Sequence, residues 1–285
     1  MGHENIEIRT LLTYGEMLET EELHRKVWKY PEPTSAKLLL TISETGGHVS
    51  GAYIKGALIG FAYALLAKDA NGLYLRSQSL IVLKEYRDRG VGLLLRTAQR
   101  KYAKGMGIAK MEWTFDPLQT RLGNFYIKKL GAIIRKYSPD LYDRPDTGSY
   151  KRVTRDRFYA EWHLDSQRVV SRIEKKSASG TAPEPDILKE NLINNVALND
   201  GIPEMFDYKL DMEEENLLLE IPGSIEDILN HPDILSKWRS NTRKILDAYI
   251  NRKQYTVIDF LTLKEGGTRR NFYFLSNQSE KEWLI

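Results

Sequence analysis

The run Arg87-Asp88-Arg89-Gly90-Val91-Gly92 has the residue types to hold a large anion. It follows an apolar strand, Ser79-Leu80-Ile81-Val82-Leu83, and a turn at Glu85-Tyr86. It also opens an amphipathic helix in which Val91, Leu94, Leu95, Ala98 and Tyr102 share a face. Two glycines let main chain approach a bulky group, and a helix's first-turn N–H groups form its positive end. Arg87 and Arg89 add charge-assisted contacts. A solvated chain reversal fits the same six residues. Further along, Glu112, Thr114 and Asp116 alternate onto one face of a strand, placing two carboxylates where proton transfer could occur. Asp116 reads equally as an N-cap with Pro117 behind it, and Glu112 as a solvated or paired strand residue.

The elements that must position these groups can be read along the chain. Ile6 to Leu11 is expected as a strand, Glu16 to Trp28 as a helix ended by Pro31-Glu32-Pro33, and Ala36 to Ile42 as a second helix. Val49 to Tyr53 and Leu58 to Leu66 form a hairpin, and Asp69-Ala70-Asn71-Gly72 turns into a strand through Leu73 to Leu83. The helix after the glycine loop ends near Gly105 and Gly107, and Lys110 to Phe115 is a strand. Asp116-Pro117-Leu118-Gln119 has helix-start chemistry, and that helix runs to Leu130 and stops at Gly131. Strands follow at Ala132 to Tyr137 and Arg157 to Leu164. The succession implies an α/β or α+β class with a mixed sheet covered by helices.

From Ser166 the character changes, and Ser177 to Pro185 has the composition of a linker. Three stretches result: a domain over 1–165, a linker over 166–190, and a small α+β domain or half-domain over 191–285. In the last, Asn216 to Ile221 reads as a strand, and Ile225 to Tyr249 as a helix interrupted near Pro232. Tyr255 to Leu261 and Asn271 to Leu275 read as a hairpin around Glu265-Gly266-Gly267. No internal repeat is evident in the sequence.

The chain has 285 residues and a net charge of +3, too mild for a nucleic-acid or membrane surface. It contains no cysteine and five histidines without ligand spacing, so neither disulfides nor a metal site are expected. No signal-peptide pattern or spanning apolar stretch is present, and the start Met1-Gly2-His3-Glu4-Asn5-Ile6 lacks a myristoylation signal. A cytoplasmic location is the expectation.

The Arg-x-x-Gly-x-Gly pattern at Arg87 to Gly92 resembles the acyl-CoA pyrophosphate loop of the GNAT superfamily of N-acyltransferases, and the element order over residues 5–165 resembles that fold. Glu112-Trp113-Thr114-Phe115-Asp116-Pro117-Leu118, Lys129-Leu130-Gly131-Ala132, Asp156-Arg157-Phe158 and Glu161-Trp162 are similar to a long bacterial subgroup described only as predicted acetyltransferases. Some members of that subgroup are associated with N-succinylation of amino acids. The resemblance implies a GNAT-type mixed twisted sheet with a smaller C-terminal α+β unit. It further implies an enzyme that moves an acetyl or succinyl group from coenzyme A to a primary amine of a small molecule. Direct attack in a ternary complex is expected, since no cysteine can hold an acyl intermediate. The alternative is a non-catalytic acyl-CoA-binding sensor. The oligomeric state is open, with a homodimer among the options.

The same resemblance assigns pantetheine and thioester contacts to the main chain of Ile81, Val82 and Leu83, and the diphosphate to Arg87, Asp88, Arg89, Gly90, Val91 and Gly92. Asp116 and Glu112 become candidates for accepting the amine's proton. The family's usual tyrosine acid falls at Ile127, four residues before Gly131, so Tyr126, one position off, is the candidate, with a satisfied buried tyrosine as the other reading. Tyr142 is a further candidate acid. Asn124 reads as a pantetheine-amide contact or an exposed polar residue, and Ser77 and Gln78 as candidates to shape the acceptor pocket. Lysines and arginines over 121–136 and 151–157 are solvation or a 3′-phosphate contact. Arg239 and Arg243, at i,i+4 spacing, are exposed surface or a clamp for an anionic substrate.

Overall fold

A computed structural model of the chain describes residues 5–28, 32–141, 156–174, 190–265 and 268–278. The chain divides into two compact units, residues 1–113 with 145–152, and residues 114–144 with 153–285. Among the described residues no helix is long and apolar enough to cross a membrane.

In the first unit, Thr13 and Glu16 form a capping box that starts α1 (Tyr14–Val27), and the Ser35 hydroxyl caps α2 (Ala36–Glu44). Between β2 (His48–Ile54) and β3 (Ala57–Asp69) the chain reverses at Lys55 and Gly56, both with positive φ, as a hairpin turn matching strand twist requires. The Asp69 carboxylate accepts from the Asn71 N–H at 2.8 Å and fixes the turn into β4 (Gly72–Val82). With β1 (Glu7–Thr10) and β5 (Lys110–Phe115), the strands run in the order β1-β2-β3-β4-β5, and the division between units falls inside β5. All pairs are antiparallel except β4 with β5. One apolar cluster gathers Leu11, Met17, Leu39, Val49 and Phe61, and a second gathers Ala52, Ile59, Ala62, Val91 and Leu95. The second cluster buries the apolar stripe of α3 (Val91–Gly105).

In the second unit, α4 (Thr120–Gly123) passes without a break into a π-helical segment, Asn124–Lys129, followed by β6 (Ile133–Ser138) and β7 (Arg157–His163). Next come α5 (Gln167–Ile173), β8 (Asn194–Asn199), β9 (Ile202–Tyr208), β10 (Asn216–Ile221) and α6 (Glu226–Leu229). A longer helix, α7 (Pro232–Leu246), also ends in a π segment, Asp247–Arg252, and leads to β11 (Thr256–Glu265) and β12 (Thr268–Ser276). The strands lie in the order β7-β6-β11-β12-β10, all antiparallel, while β8 and β9 form a separate hairpin. Phe158, Trp162, Leu217, Phe260 and Tyr273 are buried in its core.

Three expectations need correction. The helix expected from Asp116-Pro117 begins at Thr120, because Gln119 stands at φ −79°, ψ 80° and no side chain caps it. The stretch expected to be linker is helical at α5, where the Ser166 hydroxyl accepts from the Val169 N–H. The β8–β9 hairpin was not anticipated, although Asp200 and Gly201 carry the positive φ values its turn requires. Residues 175–189, including Ser177 to Pro185, and Gly266-Gly267 lie outside the described residues.

Candidate functional site

The chain leaves β4 through a 3₁₀ turn, Lys84–Tyr86, and enters α3 at Gly90. Asp88 (φ 60°) and Gly90 (φ 84°) are both left-handed, which reverses the chain within eight residues of the strand end at Val82. An added Cβ at Gly90 would meet nothing within 4 Å, so glycine serves the backbone angle and leaves the corner open. No side chain caps α3 and its first turn holds no acid, so the leading N–H groups and the positive dipole end are left to an external anion. Asp88, Arg89 and Gly90 are exposed. The Arg87 Nε donates to the Val82 carbonyl at 3.1 Å and ties loop to strand, and the Arg89 guanidinium lies over the Tyr86 ring.

The expected backbone contacts divide by ladder parity. The Leu83 N–H donates to the Ile59 carbonyl at 2.9 Å, and its own carbonyl accepts from the Tyr86 N–H. Facing residues in an antiparallel ladder alternate between exchanging bonds and exchanging none. With Ile81 opposite Phe61 and Val82 opposite Gly60, Ile81 shares the engaged position of Leu83. The main-chain groups of Leu80 and Val82 therefore point to the opposite edge of β4. Along that edge the parallel ladder to β5 covers only Leu75 with Met111 and Arg76 with Glu112. Beyond it, the N–H groups of Leu80 and Val82 and the Leu80 carbonyl face that edge, while the Val82 carbonyl is taken by Arg87.

A bulge marks where that ladder stops. The β3–β4 register slips between Tyr63 and Ala64, leaving Gln78 as the extra residue. Buried Arg96 of α3 donates to the Ser77 hydroxyl at 2.6 Å, and that hydroxyl donates to the Tyr63 carbonyl at 3.3 Å. The Arg96 guanidinium also stacks 4.2 Å from the Trp113 ring centroid. Sequence inspection missed Arg96, because an arginine on a helix reads as solvated surface. Glu112 is held in a cross-strand ion pair with Arg76 (3.2 Å) and a same-strand one with Lys110 (2.8 Å), and Lys110 also bridges Asp69.

In the second unit Asp116 is 6 % exposed and both its carboxylate oxygens accept from the Arg239 guanidinium. Its Oδ1 also accepts from the Leu118 N–H at 3.0 Å, and its carbonyl from the Gln119 N–H. It closes a turn ahead of the helix instead of capping it. Arg243, one helical turn from Arg239, bridges Asp140 (2.8 Å) and Asp156 (2.7 Å). Burial, reinforced by the Asp156 charge, raises the Tyr137 hydroxyl well above its usual range, and that hydroxyl donates to Asp156 at 2.9 Å. These carboxylates take both guanidinium groups, so the expected clamp for an anionic substrate has no charge to spare.

Tyr126 and Asn124 stand on the π segment. The Tyr126 ring is buried, edge-on to Phe115 at 5.3 Å and tilted on Phe125 at 5.1 Å, while Asn124 is half-buried. The Leu130 N–H reaches the Phe125 carbonyl, and Gly131 (φ 80°) ends the turn. A π turn carries more residues than an α turn, which displaces the face that counting four back from Gly131 assumes. Arg172 of α5 donates to the Ile127 and Lys128 carbonyls and to Asp259, and Arg168 to the Gly131 and Ile258 carbonyls. Burial, and then the Arg172 charge, lower the Arg168 pKa to about 10. Tyr142 and residues 151–155 lie outside the described residues.

Among curated proteins none matches this chain. Solved structures that resemble it include Naa50 of Arabidopsis thaliana in complex with the bisubstrate analogue CoA-Ac-MVNAL, at 16 % identity and a TM-score of 0.44, covering 55 % of this chain and 97 % of that one. The ribosomal-protein-S18-alanine N-acetyltransferase of Escherichia coli matches at 14 % identity and a TM-score of 0.46, covering 56 % and 94 %. An N-acetyltransferase of Staphylococcus aureus Mu50 matches at 18 % and 0.46, covering 56 % and 98 %. At these scores the likeness carries no argument about activity. Residues 17–132, which include the loop, match the acetyltransferase (GNAT) family. Over that span the chain carries a GNAT acetyltransferase domain.

Proposed function

We propose that the protein moves an acetyl or succinyl group from coenzyme A to a primary amine of a small molecule such as an amino acid, by direct attack in a ternary complex. The observation that carries this is the uncapped, acid-free start of α3, reached through left-handed Gly90 and set at the end of a strand with an open main-chain edge. The N–H groups of Val91, Gly92 and the next residue would take the diphosphate, with Arg87 and Arg89 beside them. Main-chain groups of Leu80 and Val82 would run along pantetheine, and a fixed N–H donor toward the thioester carbonyl contributes a few kcal/mol of transition-state stabilisation. Asp116 and Glu112 are the proposed proton acceptors. Tyr126 is the proposed donor to the leaving thiolate, and Asn124 a pantetheine contact.

A second reading follows from the pairing of both carboxylates: a sensor that binds acyl-CoA and transfers nothing. Thiol release from acetyl-CoA and succinyl-CoA against a panel of D- and L-amino acids separates the two. Turnover on any of these amines supports transfer. Saturable coenzyme A binding with no thiol release on the whole panel supports the sensor.

A further inference from the structure

One helix-to-strand passage occurs twice in the second unit. The π segments Asn124–Lys129 and Asp247–Arg252 are displaced by 123 residues (247 less 124). At that displacement several neighbouring irregularities recur. Left-handed Gly131 answers to left-handed Gln254. The bonds from Leu130 N–H to Phe125 O and from Ala132 N–H to Tyr126 O answer to those from Lys253 to Ala248 and from Tyr255 to Tyr249. β6 begins at Ile133 and β11 at Thr256, and the register slip between Ile134 and Lys136 answers to the one between Val257 and Asp259. The cross-strand ring pairs Tyr137–Phe158 and Phe260–Tyr273 also correspond, with the second rings displaced by 115 residues (273 less 158).

The two copies meet on a local two-fold axis. The β6–β11 pairing sets Ile134 opposite Val257, which is its own counterpart, as only a two-fold relation allows. Side chains cross between the copies in both directions. Thr120, on the first copy's helix, donates to the carbonyl of Pro222, the first residue past β10. Arg239, on the second copy's helix, donates to the carboxylate of Asp116, the first residue past β5. What precedes β10 is the β8–β9 hairpin, whereas the glycine loop and α3 precede β5.

We propose that the second copy is a built-in partner of the first, and that Arg239 is the positioning residue it contributes to acyl transfer, acting through Asp116. This rests on the transferase reading above and on Asp116 as proton acceptor. The bidentate guanidinium holds both oxygens of the carboxylate while the Leu118 N–H fixes its plane, so the carboxylate keeps one orientation. Arg243 serves as the internal control, since it sits on the same helix and holds Asp140 and Asp156 instead.

The test uses the full chain and the variants Arg239→Gln, Arg239→Lys and Arg243→Gln, with thiol release from acetyl-CoA, KM for thioester and amine, and thermal unfolding recorded together. Arg239→Gln is expected to lower kcat about tenfold or more with KM for acetyl-CoA changed less than about twofold, within the range for a misdirected proton acceptor. Arg239→Lys recovers part of the loss, and Arg243→Gln shifts unfolding without lowering kcat. Unchanged kcat in folded Arg239→Gln overturns the proposal and leaves the transferase reading intact, as does an equal loss in Arg243→Gln. A wild-type chain that binds acetyl-CoA and releases no thiol with any amine overturns both.

Discussion

The connection from β4 to α3 and the connection from β5 to α4 carry the two expected pieces of chemistry, and they are built in opposite ways. The first is made of backbone. Gly90 is left-handed, its corner is empty, and the following helix has no cap, so donors stay available. The second is filled by side chains. Asp116 is buried, and Arg239 from a distant helix occupies both its oxygens. An open donor array calls for an outside anion, whereas an occupied carboxylate can only be steered by its partner. Glycine and arginine types near a strand end reveal the first kind of site, because the backbone does the work where the sequence says it will. The second kind depends on a partner far along the chain.

Substitutions at the two connections should therefore fail differently. Gly90→Asp adds bulk at a left-handed position and a negative charge in an anion site. Coenzyme A affinity is expected to fall about a thousandfold, on the order of 4 kcal/mol, with little change in unfolding temperature. Unchanged binding by calorimetry would remove the loop from the site. Asp116→Asn leaves a buried guanidinium without its anion, so chemical denaturation should show a loss of roughly 3 kcal/mol, and Asp116→Asn with Arg239→Met together should lose less than the single change. Additive losses would mean that the pair does not couple.

The comparison extends to buried polar groups and their response to acid. In the first unit His48 is 2 % exposed and stacked on Tyr102, and burial lowers its pKa to about 4 from the usual 6.5. Between those values the unfolded chain binds a proton that the folded chain refuses, so the contribution is fully present above pH 6.5 and is lost as pH falls toward 4. About 2 kcal/mol should disappear between pH 6.5 and 5. His48→Phe keeps the stack and should flatten stability over that window; an unaltered pH slope would assign the acid sensitivity elsewhere. The smallest effect sharpens the match between the two copies. Gln254 holds φ 61° where its counterpart Gly131 holds 80°, so Gln254→Gly should stabilise by up to about 1 kcal/mol in urea denaturation. Destabilisation would show that the Gln254 side chain, which donates to the Asn251 carbonyl, outweighs the angle.

Element order through β7 was legible in the sequence, because alternation, capping residues and glycine turns act locally; Thr13 with Glu16 and Lys55-Gly56 behave as their types dictate. The start of α4 was not, since the same Asp116 and Pro117 that spell a cap are drawn into a turn by Arg239. The π segments are invisible to a 3.6-residue period, which is why the position of Tyr126 could not be settled by counting. α5 was hidden because its stretch borders a linker-like composition, although Arg168 and Arg172 anchor it to carbonyls. The duplication escaped notice because, between 120–138 and 243–261, only Tyr126-Ile127 and Tyr249-Ile250 coincide. What the copies share is backbone geometry, which many residue types satisfy.

A crystal structure of the chain with coenzyme A tests the central claim most directly. The account predicts diphosphate oxygens about 3 Å from the N–H groups of Val91 and Gly92, with pantetheine along the Leu80–Val82 edge of β4. Diphosphate bound at another position, with the start of α3 facing only solvent, would contradict it.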